Sequence, residues 1–99
     1  MILGIVTGSV VCTVKDKSLV GKKMLIVQPY KIDTMTPGGS SLVALDAIGA
    51  GVGEIVMVVG GSSARMADDY SKVCVDQSIV AIVDSVEVGG TTIFDKAGE

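Results

Sequence analysis

The sequence predicts an all-β fold, a small five-stranded Greek-key barrel with one short helix, and three observations carry that prediction. Val and Ile together number 26 against 5 Leu, and β-branched side chains fit a pleated sheet better than a helix. The apolar runs are short and end at Gly, Pro, Ser or Asp, as the strands of a barrel or sandwich do. Five such runs fit within 99 residues, the length of one domain.

Strands are expected at Met1–Val14, Lys22–Pro29, Ser41–Ile48, Glu54–Val59 and Ile79–Val88. The first is long enough to bend, with Gly4 or Gly8 to supply a bulge. Lys15 to Gly21 reads as a charged loop closing on a glycine turn. Tyr30 to Ser40, which holds Thr36-Pro37-Gly38-Gly39-Ser40, reads as a second loop. Ser62 to Ala67 reads as one or two helical turns capped by Ser62 and Ser63. Asp68 and Asp69 come too late to help that helix's N-terminal dipole. The whole of 1–99 is one domain, and its tail from Gly89 to Glu99 is either loosely held or adds an edge strand through Thr91-Thr92-Ile93-Phe94.

Composition narrows the function. Eight basic and eleven acidic residues give a net charge of −3, and the pI near 4.7 argues against a dedicated nucleic-acid binder. The chain lacks His, the commonest general base and metal ligand, and its only aromatic residues are Tyr30, Tyr70 and Phe94. Cys12 and Cys74, far apart and without a C-x-x-C pair, do not make a zinc site; two free buried thiols are expected, with one disulfide the alternative. Hydrophobic residues reach 48% and mean hydropathy +0.62, yet a domain this small buries only about two-thirds of the surface its unfolded chain exposes. A membrane span is not the explanation, because Asp46, Glu54 and five glycines interrupt Leu42 to Gly61. Nor does Met1 to Val6 carry the basic lead-in of a leader; it reads as a folded strand. Self-association in the cytosol is the simpler expectation.

Gly49-Ala50-Gly51-Val52-Gly53-Glu54 is the most conspicuous motif. A dinucleotide fingerprint needs G-x-G-x-x-G opening a helix. Here the third glycine comes one position early, a strand follows, and Glu54 stands where an anion would sit. A tight turn between strands accounts for the glycines, as does a close approach of backbones from several subunits around an axis. Lys15, Lys17, Lys22 and Lys23 put half of the basic residues within nine positions, on the loop that in five-stranded barrels often meets oligonucleotides. No aromatic residue lies among them, and Asp16 does; a solvated loop is the simpler account. Asp76, Asp84 and Glu87 read as strand-end and turn residues, since positions 84 and 87 face opposite sides of one strand. Without His, Ser62 and Ser63 have no triad. Arg65, the only arginine, offers a fork for a carboxylate across an interface or for a surface ion pair.

Taken in order, Met1-Ile2-Leu3-Gly4 with Val6, Gly8 and Thr13-Val14-Lys15, then Leu19 to Val27, Asp46 to Glu54, Gly61 to Arg65, Val75-Asp76 and Ile79 to Asp84 resemble the bacterial microcompartment vertex proteins. That family includes the carboxysome vertex protein and its ethanolamine-utilisation counterpart, and the resemblance runs from Met1 to about Val88. It implies a barrel related to the oligonucleotide-binding fold, assembled as a homopentamer that plugs the vertices of a cytoplasmic polyhedral shell tiled by hexameric proteins. It implies a structural protein and not an enzyme, with no cofactor, no metal, no nucleic acid and no membrane partner. It places Asp46, Gly49, Ala50, Gly51, Gly53 and Glu54 near the five-fold axis or subunit interface and makes Arg65 a candidate interface contact. Cys74, where the family often has proline, and Ala81, where it often has glycine, depart from the pattern. Two other functions compete: a barrel that binds single-stranded nucleic acid or a small ligand, and an enzyme using carboxylates or backbone amides at Gly49–Glu54.

Overall fold

Alternation of apolar and polar residues sets the core. In Met24–Lys31, Leu25 and Val27 are buried while their neighbours are half-exposed, and in Ile55–Gly60 Val56 and Val58 alternate with the half-exposed Met57 and Val59, with Ile55 buried as well at the strand's start. A computed structural model describes residues 1–67 and 75–97. Among them are eight strands: β1 (Ile2–Val10), β2 (Met24–Lys31), β3 (Thr36–Pro37), β4 (Leu42–Asp46), β5 (Ile55–Gly60), β6 (Gln77–Ile82), β7 (Ser85–Val88) and β8 (Thr91–Asp95). The only helical segments there are two 3-10 turns, Lys17–Leu19 and Gly61–Met66.

Five strands close into a ring in the order β1-β2-β4-β6-β5, with β1 pairing both β2 and β5. All pairings are antiparallel except β4–β6, which is parallel and holds two residue pairs, Leu45↔Ser78 and Asp46↔Ile79. The result is the predicted five-stranded Greek-key architecture, left incompletely sealed at that seam. Strand β1 serves two neighbours because it bends: its register against β2 shifts between Val6 and Gly8, leaving Thr7 without a partner beside the second of the two glycines expected to supply a bulge. Gly4 has a different task. A Cβ there would lie 2.6 Å from the Gln28 carbonyl oxygen and from Val27 Cγ1, so only glycine lets β2 come this close.

Val6, Leu25, Val27, Val56, Val58 and Ile79 fill the barrel together with Ala44 and Ala50. Most of them are β-branched, as the composition led one to expect. Ser78 is the one buried polar residue among those described, and its Oγ donates to the Ala64 carbonyl at 2.7 Å. That bond satisfies the hydroxyl and fastens the turn Gly61–Met66 to the barrel wall.

Several expected boundaries move, for reasons of pairing. The first strand stops at Val10, which pairs with Met24 at the start of β2; beyond it Val11 and Val14 have no partner strand and are more than nine-tenths exposed. The third ends at Asp46, short of Ile48. Residues 30–40 are not all loop, since Tyr30 and Lys31 pair with Pro37 and Thr36. The strand expected at Ile79–Val88 is two strands. β6 runs out of partner at Val56↔Ile82, where β5 begins, and the chain leaves the ring to form a separate β7–β8 hairpin. Gly89 and Gly90, at φ +57° and +81°, make the two-residue turn with positive φ at both positions that suits a hairpin's twist. Thr91–Asp95 thus adds a strand to β7 and not to the barrel edge.

The serine caps also require correction. The residue before the turn Gly61–Met66 is Gly60, with no side-chain cap; Ser62 and Ser63 are its second and third residues. Gly61, at φ +63°, donates its N–H to the Asp76 carbonyl at 2.8 Å, so backbone bonding starts the turn. Cys74, Asp68, Asp69 and Tyr70 lie outside the described residues, whereas Cys12 is a half-buried free thiol.

Candidate functional site

The glycine-rich segment is the connection from β4 to β5, and it is fastened along its length. Asp46, the last residue of β4, accepts at Oδ1 from the Ile48 and Gly49 amides at 3.2 and 3.1 Å, turning the chain as an aspartate-led turn does. Gly49 then adopts φ +85°. Ala50 drops its methyl into the core, and its carbonyl accepts from Lys23 Nζ at 3.3 Å. Gly53, at φ +90°, donates to the Val6 carbonyl at 2.8 Å, and the Val6 amide donates to the Glu54 carbonyl at 3.0 Å. The loop is thereby zipped onto β1, and its two left-handed turns need Gly49 and Gly53.

Glu54 joins three pieces of chain. Its Oε1 accepts from the Gly51 amide at 2.7 Å, and its Oε2 takes a hydrogen-bonded ion pair from Lys96 Nζ at 3.0 Å. The Lys96 hydrogen bond first, and the Gly51 amide second, hold its carboxyl below the ordinary range. The Gly51 amide, which a phosphate would need, is already occupied by this carboxylate, and a strand follows where a nucleotide site requires a helix. What the loop presents outward is apolar: Val52 is 69% exposed and Ile48 43%.

The structure gathers Asp46, Gly49, Ala50, Gly51, Gly53 and Glu54 into this one loop, but Ala50 is taken up by its own core. Arg65 is not brought to it. It is exposed on the turn beyond the far end of β5, about 20 Å of strand away from Glu54. Asp76, Asp84 and Glu87 are exposed and sit before β6, between β6 and β7, and on β7. Sequence reasoning missed Lys96 and Lys23 as partners of the loop; a lone cation 42 positions from Glu54 carries no local signal. The lysine-rich loop frames a cleft of about 250 Å³ lined by Ser9, Val10, Val11, Cys12, Lys15, Lys22, Lys23 and Met24. No group of three or more His, Cys, Asp or Glu able to hold a metal occurs among the described residues, and no helix there is long and apolar enough to cross a membrane.

Comparison with known proteins fits this geometry. The family described as "Ethanolamine utilisation protein EutN/carboxysome" matches residues 1–84. The microcompartment shell vertex protein EutN of Salmonella typhimurium is 45% identical over 97% of this chain and 96% of its own. The solved CcmL of Gloeobacter violaceus superposes with a TM-score of 0.93 at 35% identity, covering 98% of this chain and 99% of that one. The GrpN pentameric microcompartment shell protein of Rhodospirillum rubrum superposes with a TM-score of 0.81 at 46% identity, over 89% and 99%. A ring of five strands, a glycine connection knitted to β1 and these likenesses over nearly the full length agree: the chain belongs to the EutN/carboxysome family, the bacterial microcompartment vertex proteins.

Proposed function

We propose that five copies of this chain form a closed ring that caps the five-fold vertices of a polyhedral bacterial microcompartment in the cytoplasm. Its neighbours in the shell are hexameric proteins, and its role is structural, with no reaction of its own. The observation that carries the reading is the likeness over most of the chain to a relative whose solved form is pentameric. Physical chemistry supports it. Apolar residues exposed on the glycine loop, Val52 and Ile48, need cover that the small core does not give. Head-to-tail contacts that close after five steps supply such cover and leave no sticky face around the ring. Curvature also needs five-fold units where a sheet of hexagons is flat.

Native mass spectrometry over a range of concentrations tests it. The expected result is a dominant species of five 10.1 kDa chains; a persistent monomer overturns the ring and revives a ligand- or nucleic-acid-binding barrel. Gly51→Val then asks whether the glycine loop lies at the contact. Within its own chain a Cβ at Gly51 meets only Glu54 Oε1, at 3.6 Å, an ordinary contact, so the fold itself leaves room for the first carbon of the new side chain. Sedimentation is expected to show a weakened ring, and an unchanged oligomer removes Gly51 from the interface.

A further inference from the structure

The β7–β8 hairpin meets its own barrel at the start of β5, and its two legs are held there by different means. The entering leg is held by backbone, since the Val83 amide donates to the Ile55 carbonyl at 2.8 Å. The leaving leg is held by a side chain, since Lys96 Nζ donates to Glu54 Oε2 at 3.0 Å. Lys96 is itself set in place: its amide donates to the Asp84 carbonyl at 2.8 Å, and the next amide, of Ala97, donates to Asp95 Oδ1 at 2.9 Å. Val83 and Asp84 lie between β6 and β7 and belong to neither strand, so they form the hinge. One hydrogen bond at that hinge fixes where the hairpin starts; the ion pair is the second point, and it fixes where the hairpin points.

The other oxygen of the same carboxylate is engaged by the glycine loop, whose Gly51 amide donates to Glu54 Oε1 at 2.7 Å. One planar group thus serves both, and a rotation that breaks one bond disturbs the other. With the Lys96 and Glu54 side chains 49% and 27% exposed, the pair is weak enough to open and close. We propose that Glu54 is a positioning residue that couples the two segments: it latches the β7–β8 hairpin in one direction while the glycine loop holds its other oxygen, and release at either end loosens both. The latch lies within one chain, so it stands or falls separately from the pentamer.

Amide hydrogen exchange on the full chain tests it, with native mass spectrometry checking that the samples compared share one oligomeric state. An isolated two-stranded hairpin is marginal in water, so an unlatched one opens more often. Lys96→Met keeps the aliphatic stem and removes the charge; Glu54→Gln keeps an acceptor for the Gly51 amide and removes the charge. Each is expected to speed exchange in Thr91–Asp95 about threefold, with Met24–Lys31 unchanged. Lys96→Met is also expected to speed exchange in the peptide 49–54, across 42 positions of sequence. The double variant is expected to be no faster than either single one, and Lys96→Arg to match wild type. Unchanged hairpin rates overturn the latch, as do losses that add in the double variant or an equal speeding of Met24–Lys31. A hairpin that speeds while 49–54 does not overturns the coupling. Salt gives a readout that needs no variant to fold: about 1 M salt, which screens an exposed pair, is expected to speed the wild-type hairpin as Lys96→Met does. A hairpin indifferent to salt overturns the proposal.

Discussion

The five-strand ring and the β7–β8 hairpin are built from the same kinds of residue and held by different means. Every ring strand has a neighbour on each side, and one apolar core lies inside. In the hairpin each strand has only the other, and its apolar side chains reach neither cluster of buried residues. The family match stops at residue 84, where the ring ends and the hairpin begins. Burial and closure hold the first region; the second is ordered by its turn, by the Lys96 amide bond to the Asp84 carbonyl and by the Glu54–Lys96 pair. A strand-like sequence therefore fixes local conformation without fixing what covers it.

That contrast is broken or sharpened by a short series of substitutions. Ile79→Ala empties a fully buried site in β6 and is expected to cost about 4 kcal/mol in denaturant unfolding. Gly4→Ala is expected to cost about 2 kcal/mol, because its new methyl meets the Gln28 carbonyl of the fixed β2 backbone as well as the Val27 side chain. Phe94→Ala, made in the hairpin and measured at monomer concentrations, is expected to cost less than about 1 kcal/mol. A loss as large as that of Ile79→Ala shows the hairpin to be part of the core and erases the distinction.

The smallest effect is a pH dependence at the link between the two regions. The folded carboxyl of Glu54 titrates below its ordinary value of 4.5. Its contribution is thus complete above that value and is lost as pH falls through the lowered folded value. Glu54→Gln is expected to flatten the acid limb of stability below about pH 4.5, leaving the part due to Asp16, whose carboxyl the Ser18 hydrogen bonds also lower. An acid limb identical to wild type shows that Glu54 tethers nothing.

The strands of the ring were legible because alternation and glycine punctuation are local. Leu25, Val27, Val56 and Val58 announce one buried face each, and Gly8 marks the bend at which the register shifts. The break between Ile82 and Ser85 was not legible: the apolar run continues through Val83 and Val86, and only the start of β5 at Ile55, far upstream, removes the partner. In the candidate site, Asp46 and the glycines at positive φ could be read from residue type. The Glu54–Lys96 pair and the descent of Ala50 into the core depend on distant chain. Ser62 and Ser63 looked like caps because serine favours that position, but the turn begins earlier, on Gly61.

The double pairing of β1 sets an order of events for a chain made from its N-terminus. Its hairpin with β2 joins residues about 20 positions apart and can close early, whereas its other edge waits for Ile55–Gly60 and the circuit waits for Gln77–Ile82. Most of the contacts that define the barrel therefore span long stretches of chain, which makes loop closure costly and folding slow. During synthesis the first strand is left with one unpaired edge until about three-fifths of the polypeptide exists, the circuit stays open until more than four-fifths does, and the nascent barrel is most exposed to mispairing in that interval.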